Sequence, residues 1–191
     1  MRTRLRPILV SITMIALAGV VGLDAARTDA QSPEHFSALA INMGDRGRLH
    51  PGIVVDIFVV RWSTRVEKHR LLAAFVAHGP DALRERLMDT PEVGYLRTPD
   101  NRAYNLYFAW DEPASDGGRR IMLATASPLT FWDAATPRWN YGFTLIEMRL
   151  NRDGTGEGKM SLTTKMAVSK NLDLIELEDY AHEPARLIFL P

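Results

Sequence analysis

Cysteine is absent from the chain, and that absence excludes disulfides, thiolate metal sites and a cysteine nucleophile together. No charge of one sign dominates either, since Lys and Arg number 23 and Asp and Glu also number 23. A basic stripe for nucleic acid is therefore unsupported, and so is an acidic, disordered character. Internal repeats and low-complexity tracts are missing. Chemical signatures are equally scarce. Glu67 and His69 stand two residues apart and would face away from each other on a helix, so they form no zinc motif. Ser63, Ser127, Ser161 and Ser169 lie in no nucleophile-elbow context.

The one long apolar run is Ile8 to Leu23, and it is preceded by Arg2, Arg4 and Arg6 and followed by Thr28-Asp29-Ala30. A basic segment, an apolar core and a small-residue site are expected of a secretory signal peptide over residues 1–30, with cleavage near Ala30. The core is short for a membrane anchor, so an uncleaved N-terminal anchor is the weaker alternative and no stable span is expected after cleavage. Residues 31–191 are then a single domain in the periplasm or outside the cell, with a net charge of about −2 once four Arg and two Asp are removed.

What is present is clearest from Ile53 to Gly79. Ile53 to Arg61 is almost wholly β-branched or aromatic, which predicts a strand buried on both faces, interrupted only by Asp56. Thr64 stands three residues before Glu67, the spacing of a capping box. The helix that follows is expected to turn Val66, Leu71, Ala74, Phe75 and His78 inward, with Arg65, Lys68 and Arg70 toward water. Gly79-Pro80 ends it, and a second short helix from Asp81 to Met88 directs Leu83, Leu87 and Met88 inward.

Before this stretch, His35 to Ile41 reads as an edge strand. After Thr90-Pro91 the period changes to two, and strands are predicted at Val93–Arg97, Ala103–Trp110, Arg119–Ser127, Phe143–Asn151, Lys159–Val168, Leu174–Tyr180 and Ala185–Leu190. Alternation puts Tyr104, Leu106, Phe108 and Trp110 on one side of their strand, giving a sheet with one wet and one dry face. The expected fold class is α+β: a strongly curved or barrel-like antiparallel sheet of seven to eight strands, with two short helices inserted after the first long strand. A β-sandwich is the alternative.

Segments such as Arg61-Trp62-Ser63-Thr64, Gly117-Gly118-Arg119-Arg120-Ile121, Phe143-Thr144-Leu145-Ile146-Glu147 and Gly156-Glu157-Gly158-Lys159 carry a likeness. Through them the chain resembles a family of uncharacterised exported bacterial proteins, over about Phe36 to Leu187. The resemblance implies an exported single-domain protein and no activity or catalytic residue.

Candidate residues come from two places. Asp56, Arg61, Arg119, Arg120, Glu147 and Arg149 are charges set in or beside apolar strands, where they would line a polar cavity or form cross-strand ion pairs. Phe131, Trp132, Trp139 and Tyr141 lie on the long segment Pro128 to Gly142, where they could stack on a ligand or plug one end of the sheet. Asn151 to Glu157 alternates oxygen-bearing residues, but its glycines suit a hairpin turn rather than calcium. No cofactor and no metal is implied.

The favoured function is a non-catalytic binding module for a small apolar or carbohydrate-like ligand or an envelope partner, with Phe131, Trp132, Trp139, Tyr141, Arg61, Arg119 and Glu147 as ligand-binding candidates. A small hydrolase-like enzyme using strand carboxylates with arginine is the alternative. It requires two carboxylates, or a carboxylate and His69 or His78, to converge in one pocket.

Overall fold

The structure, a computed structural model, describes residues 32–42, 52–129, 142–161, 166–168, 175–177 and 185–190. Eight antiparallel strands close into a barrel. In chain order they begin with β1 (Glu34–Asn42) and β2 (Ile53–Val59), followed by α1 (Arg65–His78) and α2 (Pro80–Met88). Then come β3 (Gly94–Arg97), β4 (Ala103–Pro113), β5 (Arg119–Thr125), β6 (Thr144–Leu150) and β7 (Gly156–Ser161). β8 (Met166–Val168) and β9 (Ile175–Leu177) pair only with each other, and β10 (Ala185–Phe189) closes the barrel between β7 and β1. Each of β1 to β6 pairs with its successor and β7 with β10, so the barrel is a meander sealed by its last strand.

Closure removes the sheet edges that an open meander would expose. It also corrects the expectation for β1. Leu39 faces Val54 of β2 on one side and Ile188 of β10 on the other, so β1 is a wall strand with neighbours on both sides and not an edge.

Alternation delivers a packed interior. Val55, Ile57, Leu96, Leu123, Ile146 and Leu187 point inward and are fully buried. β2, expected to be buried on both faces, is buried on one: Val54 on its other face is 50% exposed, and Val60 just beyond its end is 57% exposed. β-branched residues favour a pleated backbone whether or not their outer face is covered. Where the wall turns from β2 to β3, Gly94 is required, because a Cβ there would sit 1.9 Å from the Phe58 carbonyl oxygen.

The strands buried on both faces are β5 and β6. Their inward residues join the barrel core, whereas Ala124, Phe143 and Leu145 form a second cluster with Leu71, Leu72, Leu83 and Leu87 of the helix pair. The helices therefore lie against the outside of the barrel wall, and the single dry face expected from alternation becomes two over this part of the sheet.

A β-bulge lets β4 serve both layers. Leu106 pairs with Thr125 and Phe108 with Ala124, leaving Tyr107 as an extra residue. Leu106 and Ala109 consequently enter the barrel core while Phe108 packs against the helix-side cluster. The expected sharing of one face by Tyr104, Leu106, Phe108 and Trp110 fails at this bulge.

Candidate functional site

The helix pair is positioned by the segment that follows β2. Thr64 caps α1 by accepting the Glu67 amide at 3.2 Å, and the Glu67 carboxylate accepts the Thr64 amide at 2.7 Å, which completes the expected capping box. Gly79, at φ 81°, ends α1 by donating its amide to the Phe75 carbonyl. Ser63 exchanges two hydrogen bonds with Ala109 just beyond the bulge: its amide donates to the Ala109 carbonyl, and its Oγ accepts the Ala109 amide. The linker is thus pinned to β4 where that strand changes faces.

The buried stripe of α1 is Lys68, Leu71 and Leu72, with Phe75 packed beside them. These are steps of three and four residues, as an amphipathic helix requires. The stripe is rotated from the expected one. Val66 is 57% exposed and His78 is exposed, whereas Lys68, expected in water, is only 6% exposed. On α2, Leu83 and Leu87 are buried as anticipated but Met88 is not.

Between this helix pair and the barrel wall lies a groove. Lys68, Leu71, Leu72, Leu83 and Leu87 line it from the helices, and Phe108, Met122, Ala124 and Leu145 from β4, β5 and β6. Lys68 lends it only the aliphatic stem, and every other lining side chain is apolar. The enclosed space is about 30 Å³, room for a water or two and not for an alkyl chain. Filling it with anything larger requires the helices to move outward from the wall. The Lys68 Nζ lies 4.3 Å from the centroid of the Trp110 ring, a cation–π contact that helps hold a cation away from water.

Pairing across β4, β5 and β6 stacks the outer face in rows. One row, Phe108, Ala124 and Leu145, lies under the helices. The next is mixed, running from Trp110 through Met122 and Glu147 to Lys159. The third is charged, running from Glu112 through Arg120 and Arg149 to Glu157. Along the strands, the wall therefore grades from apolar to ionic within three steps.

Glu147, one of the anticipated site residues, is 3% exposed in the mixed row. Its Oε1 accepts hydrogen bonds of 3.1 Å from both Arg120 Nε and Arg149 Nε. Arg119 sits elsewhere, at one end of the barrel. Its guanidinium grips both Glu34 oxygens at 2.8 and 2.9 Å and Asp111 at 3.0 to 3.2 Å, and lies 5.7 Å from the Trp62 ring. The Glu34 bonds and then those to Asp111 outweigh burial and raise its pKa further.

Arg61 is a clasp near the start of α1. It pairs bidentately with Glu67 at 2.9 and 3.1 Å, and its remaining donors reach the Trp62, Pro91 and Glu92 carbonyls. Burial raises the Glu67 pKa, but the Arg61 bond and then Thr64 outweigh it, so the carboxyl lies below the ordinary glutamate value.

Arg61, Arg119 and Glu147 each occupy an internal ion pair, and none of the three lines the groove. Phe131, Trp132, Trp139 and Tyr141 lie outside the described residues. Asp56 bonds His35 at 3.1 Å on the outer surface, where His35 stacks on Phe58. The hairpin from Asn151 turns through Gly154 at φ 84°, with Thr155 donating to Asp153. Among the described residues, no three His, Asp or Glu side chains gather as a metal site would need, and no helix is long and apolar enough to cross a membrane.

Sequence reasoning missed Lys68, Phe108, Met122 and Leu145 as groove residues. Two signals were available. Ile121 to Ala124 and Leu145-Ile146 are unbroken apolar runs, unlike the alternation of a strand with one wet face. The steps 68, 71, 72 and 75 also fit a helix face, provided that a lysine is allowed on it. Compared with family models, curated proteins and solved structures, the chain matches none of them.

Proposed function

We propose that this chain is an exported, non-catalytic binding protein that takes a small apolar ligand between its helix pair and the outer barrel wall. The observation that carries this reading is the groove itself, an apolar seam between two layers that meet without filling it. The barrel interior offers no comparable room among the described residues, since its wall side chains are fully buried against one another. The ligand's place is therefore the outside of the wall and not the concavity of the sheet.

The helix pair suits an opening role. α1 and α2 join the wall through side chains alone, Leu71, Leu72, Leu83 and Leu87 packing with Ala124 and Leu145. Polar anchors hold them at Arg61 to Glu67 and at Arg84, whose Nε donates to the Gly142 carbonyl. The hydrolase alternative finds less support. Glu34 and Asp111 do converge, but on Arg119, which bonds both, and Glu147 is bonded by two arginines. Asp56 pairs with His35 instead of His69 or His78.

Native mass spectrometry of residues 31–191 recovered from the envelope of an exporting cell tests this. The wild type is expected to carry an apolar small molecule, and a folded Ala124→Val variant, whose added methyls occupy the groove, to lose it. Retention of the same molecule by the filled variant would place binding elsewhere.

A further inference from the structure

The groove takes its shape from β5. The outward residues of β5 beneath the helices are small: Ala124 and, one position past the end of the strand, Ala126, both of them buried in the helix-side cluster. The strands on either side carry larger groups. Ala124 is paired with Phe108 of β4 and with Leu145 of β6, and Tyr107 and Phe143 join the same cluster from those two sides. A low floor between two raised flanks is a trough, and this one runs along β5.

Its floor is one strand wide, about 4.8 Å. A single methylene chain, whose carbon atoms keep about 4 Å from their neighbours, matches that width. A saturated ring is wider than the floor, so it rests on the Phe108 and Leu145 side chains and holds α1 and α2 further from the wall.

The roof sets the polarity. Leu71, Leu72, Leu83 and Leu87 close the trough from the helices, and Lys68 contributes only its stem, so no lining group calls for a hydrogen bond. A charged or polar group seated there would lose its water without gaining a partner.

We infer that the ligand is an uncharged, unbranched alkyl chain lying along β5 between Phe108 and Leu145. The inference rests on the groove-binding function proposed above and adds the ligand's shape and the residues that select it. Ala124 sets the depth of the trough, and Phe108 and Leu145 set its width.

The test is isothermal calorimetry of the protein with 1-octanol and cyclooctanol, which share a hydroxyl and a carbon count and differ in shape. 1-Octanol should bind about tenfold more tightly, the effect of avoiding a misfit in a packed apolar site. Phe108→Ala, which lowers one flank, should erase that preference. Equal affinities in the wild type would overturn the shape assignment and leave groove binding standing. A preference for 1-octanol that Phe108→Ala leaves intact would overturn the trough as its source. Binding of neither alcohol would overturn this inference together with the function on which it rests. If Phe108→Ala does not fold, Ala124→Val decides: by raising the floor it should weaken 1-octanol binding about tenfold, and undiminished binding would overturn the inference.

Discussion

The barrel interior and the outer face of β4 to β6 are both dry, yet they differ in how their dryness is achieved. Inside, eight strands face one another, and Leu123, Ile146 and Leu187 are locked by neighbours fixed in the same hydrogen-bonded wall. Outside, Ala124 and Leu145 are covered by two helices that connect to the wall mainly through side chains and one pinned linker. The first region has no cover to remove. The second has a cover of two helices over a small unfilled space. A protein can thus keep a rigid frame and an adaptable seam in one small domain, and adaptable seams are where ligand sites are built.

Unfolding measurements on variants of the two regions sharpen this contrast. Leu123→Ala, inside the closed wall, should lose about 4 kcal/mol in denaturant unfolding, because the surrounding strands cannot collapse into the cavity. Glu147→Gln should lose about 3 kcal/mol by the same measurement, since it takes the charge from a buried partner of Arg120 and Arg149. Leu145→Ala, under the helices, should lose only about 2 kcal/mol, as α1 and α2 settle toward the wall. Equal losses for Leu123→Ala and Leu145→Ala would remove the distinction between frame and seam.

A smaller effect concerns the clasp at the base of α1. The folded-state pKa of Glu67 lies below its unfolded value, so its pairing with Arg61 stabilises the fold fully above the unfolded value. That contribution is lost as the pH falls through the folded value, below the usual carboxylate range. Glu67→Gln should therefore cost about 1 kcal/mol at neutral pH and flatten the acid side of a thermal stability profile. Smallest of all, Val54→Lys on the uncovered face of β2, where Val54 is 50% exposed, should change stability by less than about 0.5 kcal/mol. A larger loss would mean that this face is covered by something.

Much of the frame was legible in the amino-acid order. Turn residues at Pro99-Asp100-Asn101, Ser115-Asp116-Gly117-Gly118 and Asp153-Gly154 separate strands where the structure separates them. The helix start at Thr64 and its end at Gly79 follow from capping chemistry that is local in sequence. What could not be read locally was the seam. The bulge at Tyr107 moves Phe108 and Trp110 to the helix side, and an extra residue in a ladder leaves no mark in an apolar run. Lys68 looked like a solvent residue because its type usually is one, and only the packing of α1 on β4 reveals that it lies over Trp110. Arg61 and Arg119 were correctly noticed as charges beside apolar strands, but partners 30 and 85 positions away, such as Pro91 and Glu34, are invisible to a local reading.

The measurement that bears most directly on the seam is methyl NMR of the leucine- and methionine-labelled protein titrated with 1-octanol. Shifts are expected at Leu71, Leu83, Leu87, Met122 and Leu145, with Leu96, Leu106, Leu123, Met148 and Leu187 of the barrel interior unmoved. Shifts confined to the interior methyls, or none in either set, would contradict a ligand site between the helix pair and the outer wall.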